Sequence, residues 1–433
     1  MRAFLMTLVA TTLLAAMATA AELSAVVRKT SADVYAQPRF DAAKVATLAR
    51  DSAVKISAQQ GLWYQLQLPA GTPGFVRIDD VRLDYAGAQD GDANLRVLMG
   101  GKAGEGRVTE TAGVRGIDES DLKSAAFNQA QLDAMVGNRV DGAAAAVYAR
   151  EQGWSATTVA YAGEAKPGKS EIAAAVKSAG GMLSALGGQV GSLFGMAAKA
   201  APKSEEELAA EELALGPAIA GRVLGARPLW NNPGAQQRVN RVGRWLASQT
   251  SRPELPWTFG VIDTPEVNAF AAPGGYILVT RGMYELVSSD SELAAVLGHE
   301  ISHCVQRDHY GVIRKQELAS TGKDLALSQV STGNNTVAGS YARRYAEQYG
   351  ATVMVTALDR EAEFRADEAA EYYLARAGMN PLALYAILQK MAALGSKSAM
   401  LAQLVKTHPP LDARMDRIDQ RGYGPLESYT KRG

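Results

Sequence analysis

From Leu23 to Asp84 apolar and polar residues alternate in short runs, AVVRK, ADVYAQP, KVATLA, AVKISAQQGLWYQLQL and TPGFVRIDDVRL, with turn-forming residues between them. A period of two with frequent turns predicts short strands, and strands at this spacing predict a small barrel. Further on the period lengthens. ESDLKSAAFNQAQLDAMVG, residues 119–137, predicts a helix. In SSDSELAAVLGHE, Leu293, Val296 and Leu297 form an apolar stripe, Ser289 or Asp290 supplies a cap, and Glu292 lies in the first turn. LDREAEFRADEAAEYYLARAG, Leu358 to Gly378, is dense in Ala, Glu, Arg and Leu, lacks proline, and ends on a glycine suited to a C-cap. GGYILVT, after Pro273, reads as a β-branched and aromatic strand behind a tight turn. The pattern as a whole predicts an α+β chain: a mainly helical domain with a small sheet, preceded by a small all-β barrel.

One stretch carries chemistry. LGHEISHCVQRDHYG, Leu297 to Gly311, holds three of the four histidines, and His299, Glu300 and His303 form H-E-x-x-H. On a helix a spacing of four separates two side chains by only about 40° around the axis, so both imidazoles reach one ion, zinc before others. Glu300 then stands at the rim, where a carboxylate takes a proton from the attacking water and passes it to a leaving amine. Two residues present themselves as the third ligand. His309 stands where H-E-x-x-H-x-x-G-x-x-H puts its last histidine, but Gln306 replaces the helix-breaking glycine and favours continuation of the helix, which carries His309 away. Glu363, with Asp367 four residues later, offers two carboxylates to one face of the second helix. A carboxylate beside a metal-binding histidine accepts the other ring N–H and fixes the tautomer.

HEISH followed by EFRAD resembles the HtpX, CAAX prenyl endopeptidase and BepA-like family of zinc metallopeptidases, the gluzincins. The resemblance implies a zincin-type domain with one Zn2+ per chain, held by His299, His303 and Glu363, with Glu300 and Asp367 as catalytic residues and Asp367 supporting the ligand histidines. VNAFAAPGGYILVTRGM, Val267 to Met283, is similar to the family's strand before the zinc helix. It implies an exposed edge that pairs with extended polypeptide near Asn268 and Ala269. THPPLDARMDRI, Thr407 to Ile418, is similar to the family's T-H-P-x-x-x-x-R signature. It implies His408 as a plug near the zinc, and Arg414 as an anchor or as a group binding substrate or a developing oxyanion. DVYAQP, GLWYQL and GFVRIDDVRL resemble bacterial SH3-like domains that bind peptide or cell-wall material, with Trp63 and Tyr64 as a candidate recognition surface.

The first residues have one early basic group, an apolar run and a small-residue site at Ala18-Thr19-Ala20, the pattern of a secretory signal peptide cut near Ala20. A periplasmic protein is expected. Lys+Arg 45 against Asp+Glu 45 gives no electrostatic reason to expect nucleic acid or an anionic membrane as partner. The single cysteine, Cys304, excludes an internal disulfide and a Cys-rich zinc site, and lies one helical step off the metal face, where burial is expected. Residues 178–198 carry no charge and place Gly187, Gly191 and Gly195 at intervals of four, yet Gly, Ser and Gln weaken membrane insertion. They read as a small-residue helix or linker, with membrane contact at most peripheral. The expected organisation is a signal peptide (1–20), an SH3-like domain (23–84), an unassigned connection (85–170), an Ala/Gly-rich segment (171–202) and a peptidase domain (203–433). The expected function is envelope endoproteolysis of misfolded or unassembled proteins. A cell-wall peptide hydrolase and a non-proteolytic chaperone-like protein with an occluded zinc site are the alternatives.

Overall fold

The computed structural model describes residues 22–68, 71–84, 91–99, 117–164, 205–321, 337–349, 351–395 and 398–432. The expected signal peptide and the uncharged run 178–198 lie outside them. Among the described residues no helix is long and apolar enough to cross a membrane. The fold is α+β.

The first strands are β1 (Leu23–Val27), β2 (Ser31–Tyr35), β3 (Lys44–Ala49), β4 (Ala53–Gln60), β5 (Trp63–Gln67), β6 (Pro73–Arg77) and β7 (Val81–Leu83), paired antiparallel in the order β3-β2-β6-β5-β4-β1-β7. Alternate residues of β1 are buried, as a period of two requires. The expected barrel is not closed: β3 and β7 are the free ends, and β2 meets β6 through the single pair Tyr35 and Phe75. The β7 edge is used otherwise. The Leu83 amide donates to Gln389 Oε1 at 2.9 Å, and Gln389 Nε2 donates to the Ile78 carbonyl at 2.8 Å, so the edge docks on a helix far along the chain. Trp63 and Tyr64, candidates for a recognition surface, are core residues; the Trp63 ring packs edge-on against Tyr35 and Phe40.

The helical part begins with α1 (Gly91–Leu98), α2 (Glu119–Ser124), α3 (Gln129–Gly137), α4 (Gly142–Glu151), α5 (Glu205–Ala226) and α6 (Pro233–Ala247). Where one helix was expected over 119–137, two stand, broken at Ala125 and restarted by Asn128, whose Oδ1 accepts the Gln131 amide. The break is imposed by α5. A Cβ at Gly225 would lie 1.7 Å from the Ala126 carbonyl oxygen and one at Gly221 would lie 2.2 Å from the Phe127 ring, so these two glycines admit the loop between α2 and α3.

Strands β8 (Thr258–Ile262), β9 (Ala269–Ala272) and β10 (Tyr276–Thr280) form a second sheet in the order β8-β10-β9. GGYILVT therefore supplies the central strand, and the edge is β9, AFAA. Then come α7 (Arg281–Leu286), α8 (Asp290–Gln306), α9 (Asp308–Thr321), α10 (Val337–Tyr349), a 3-10 turn (Thr352–Val355), α11 (Arg360–Arg376), α12 (Leu382–Ala393), α13 (Ala402–Thr407) and α14 (Leu411–Arg421). Helix α8 is the axis of the molecule: every residue from Glu292 to Val305 is buried, and it packs on α11, α6, α12 and β9. Its apolar side is joined to that of the first sheet. Val27, Ile56, Val76 and Ile78 belong to the same buried cluster as Leu384, Ile387, Met415 and Ile418.

Candidate metal centre

Helix α8 starts where the sequence places it, with Ser289 Oγ accepting the Glu292 amide at 3.1 Å. The spacing of four brings His299 Nε2 and His303 Nε2 to 3.3 Å of each other. Helix α11 is capped by Asp359, whose Oδ1 accepts the Ala362 amide, and so presents Glu363 in its first turn. Glu363 Oε2 lies 3.4 Å from His299 Nε2, and Oε1 lies 3.7 Å from His303 Nε2. Donors around a tetrahedral ion with bonds of about 2.0–2.2 Å stand about 3.3–3.6 Å apart, so two imidazoles and a carboxylate fit a small divalent metal. Glu300 is buried and lines the same cleft.

Each histidine presents Nε2 to this point because its other nitrogen is held. His299 Nδ1 lies 2.9 Å from Asp367 Oδ1, and Arg414 grips Asp367 through Nε to Oδ2 at 2.8 Å and Nη2 to Oδ1 at 2.5 Å. Burial opposes ionisation of Asp367, but Arg414 and His299 hold its carboxyl well below the usual carboxylate range. Glu363 is likewise buried yet held low, by His408 first and then by His299 and His303. His299 is pulled both ways: burial and Arg414 push it down, but the carboxylates of Asp367 and Glu363 raise it to about 9. His303 Nδ1 lies 2.8 Å from Asp308 Oδ2, and Asp308 Oδ1 accepts from Arg365 Nη2 at 2.7 Å. Neither Asp308 nor Arg365 was singled out from the sequence. Asp308 follows the H-E-x-x-H motif without belonging to it, and Arg365 is the unread letter between Glu363 and Asp367.

The expectation that α8 runs on through His309 fails. The helix stops at Gln306 because Arg307 takes a left-handed conformation, φ 59°, while its Nε donates to Glu212 Oε2 at 2.8 Å. His309 is therefore carried back toward the cleft, with its ring 5.6 Å from that of His303. It is buried there with Nδ1 unpartnered, and burial together with His303 pushes it down to about 3. His408, at the end of α13, places Nδ1 2.5 Å from Glu363 Oε2 and its ring 5.3 Å from that of His299. Donor atoms of His299, Glu363 and His408 all lie within 4.8 Å of one another. The Arg414 guanidinium is engaged with Asp367 and faces His299 Nδ1 at 3.3 Å.

The cleft is narrow, with room for about 10 Å³, and its lining includes Ala269, Phe270 and Ala271 of β9 together with Met354 and Leu358. Ala269 lines the cleft but, like the rest of β9, is buried. Asn268 is buried as well, and its Oδ1 accepts the Ala269 amide at 3.0 Å. Cys304 is buried as expected, its Sγ 3.3 Å from the Ala272 carbonyl oxygen.

Residues 233–422 match the family model described as Peptidase family M48. The chain is 26% identical over 213 residues to the beta-barrel assembly-enhancing protease of Escherichia coli (strain K12), a match covering 47% of this chain and 42% of that protein. It is 26% identical over 219 residues to the protein of that name in Yersinia pestis, covering 49% and 44%. Against the mitochondrial metalloendopeptidase OMA1 of Arabidopsis thaliana it is 30% identical over 157 residues, covering 36% and 29%. The matches span less than half the length of each of these relatives.

Proposed function

With residues 233–422 forming a Peptidase family M48 domain, we propose that the chain is a zinc-dependent endopeptidase of the cell envelope that cleaves misfolded or unassembled proteins. The observation that carries this reading is the convergence of His299, His303 and Glu363, with donor atoms 3.3–3.7 Å apart, beside a buried Glu300. Zinc bound there would polarise the scissile carbonyl and lower the pKa of water toward about 7. Glu300 takes the proton of the attacking water and returns it to the leaving amine. Asp367 and Arg414 keep His299 in the tautomer that offers Nε2. The β9 edge beside the cleft suits a substrate in extended form. The likeness to a beta-barrel assembly-enhancing protease and the apolar, signal-like run near the N-terminus both support the envelope as its place of work.

His408 against Glu363 favours a resting form in which the Thr407–Arg414 segment covers the metal, in keeping with its expected role as a plug. Trp63 and Tyr64 are buried and offer a cell-wall ligand no open aromatic surface.

The test is zinc content and cleavage of an unfolded polypeptide by wild type, Glu300→Gln, Glu363→Ala and His309→Ala. Glu300→Gln is expected to keep one zinc per chain and lose about 10²–10⁴-fold in rate. Glu363→Ala is expected to lose zinc, and His309→Ala to keep it. Zinc lost with His309→Ala but kept with Glu363→Ala sinks the ligand assignment, and cleavage by Glu300→Gln at the wild-type rate sinks the mechanism.

A further inference from the structure

We infer that Asp308 is the positioning residue for the ligand His303, and that Arg365 holds it in place from the helix of the third ligand; this rests on the zinc reading above. The geometry is direct. Asp308 Oδ2 is 2.8 Å from His303 Nδ1, Oδ1 accepts from Arg365 Nη2 at 2.7 Å, and the Asp308 side chain is only 9% exposed. A ring whose Nδ1–H is committed to a carboxylate offers its Nε2 lone pair to the metal in a fixed direction.

The backbone is arranged to make this contact. Had α8 continued, Asp308 would stand five residues beyond His303, about 140° around the axis and about 7.5 Å along it, out of reach. The left-handed turn at Arg307 folds the chain back and starts α9 with Asp308 against His303. A non-glycine residue held in that conformation is uncommon and persists where the surroundings enforce it. Here Glu212 fixes the Arg307 side chain.

Arg365 lies two residues after Glu363 on α11. The link from His303 through Asp308 to Arg365 therefore ties the second ligand to the helix that carries the third. The same construction, histidine to aspartate to arginine, stands on the other side of the site as His299, Asp367 and Arg414. Two unrelated stretches of chain arrive at one arrangement around each imidazole, and a shared requirement of the two ligands accounts for both.

Zinc affinity by competition with a chromophoric chelator, and melting of the zinc-free protein, test this on the full chain. Loss of such a supporting group typically weakens metal binding about 10–100-fold, and that is the change expected for Asp308→Ala, with the zinc-free melting temperature little moved. Asp308→Asn, which keeps an oxygen to accept Nδ1–H, recovers most of the loss, and Arg365→Ala lowers affinity by a few fold. Zinc affinity within twofold of wild type in Asp308→Ala overturns the inference, whatever happens to stability. If that variant does not fold, unchanged affinity in Arg365→Ala overturns it instead. A wild-type chain that binds no zinc fails at the earlier reading, whereas one that binds a single zinc with Asp308 dispensable fails only here.

Discussion

His299 and His303 sit one turn apart on α8, and each leans on an aspartate held by an arginine, but the two sides of the centre are built in different media. On the His299 side both partners are sealed: Asp367 and Arg414 are each about 4% exposed, and they come from α11 and α14. On the His303 side Asp308 is nearly sealed, while Arg365 is 34% exposed. The His299 side is thus braced across the core and the His303 side across its rim. In a dry site a charge without its partner is very costly, whereas at the surface water replaces the partner. The first brace should therefore be tied to folding and the second mainly to metal binding.

Substitution of the arginines breaks this comparison most sharply. Arg414→Ala leaves Asp367 as a buried carboxylate with His299 as its remaining partner and should cost about 3–5 kcal/mol in denaturant unfolding. Arg365→Ala should cost about 1 kcal/mol or less, since solvent already reaches the guanidinium. Equal costs would mean that burial does not distinguish the two sides.

A smaller effect is expected one step further out. Arg82 of β7 donates to Asp419 of α14 at 2.6 Å and to Tyr385 at 3.1 Å, so the first sheet steadies the helix that carries Arg414. Arg82→Ala should cost about 1.5–3 kcal/mol, the usual worth of hydrogen bonds to charged groups. Exchange of amide hydrogens in residues 411–421 should quicken while α9 stays as it was. Quickening at α9 instead would show that the two braces are not separate.

The smallest effect is a pH slope. In the metal-free protein the carboxylates around His299 raise it to about 9, against 6.5 for a free imidazole. A raised folded pKa stabilises the native state fully below the unfolded value and loses that contribution as pH rises through the folded one. Metal-free protein should therefore melt at lower temperature at pH 9 than at pH 6.5. A metal ion bound through Nε2 would displace the His299 proton, so its apparent affinity should climb over that interval. Asp367→Asn removes the leading carboxylate hydrogen bond and should flatten both slopes; slopes unchanged in that variant would place the proton elsewhere.

The same contrast shows what could be read from the residues alone. Asp367 was legible because it shares one uninterrupted helix with Glu363, and helical spacing is written in the sequence. Asp308 was not, because its approach to His303 depends on Arg307 adopting a left-handed turn, and arginine gives no sign of one; only tertiary contact with Glu212 accounts for it. His309 was misplaced for the same reason. The strands of the first sheet followed from alternation, but the docking of its β7 edge on Gln389, some 300 residues away in the chain, left no local trace. The break between α2 and α3 was hidden because its cause, the glycine face of α5, lies on another element.

The buried cluster that runs from Val27 of the first sheet to Ile418 of α14 bears on how this molecule can be divided. The match to the family model begins at residue 233, but that is a boundary of inheritance, and water recognises a different one. Cut at residue 233, the chain would expose the faces of α12 and α14 that Leu83, Ile78 and Arg82 now cover. The piece with the family's signature would be a fragment of a folding unit, and heating the intact chain should melt the first sheet and the metal centre in one transition.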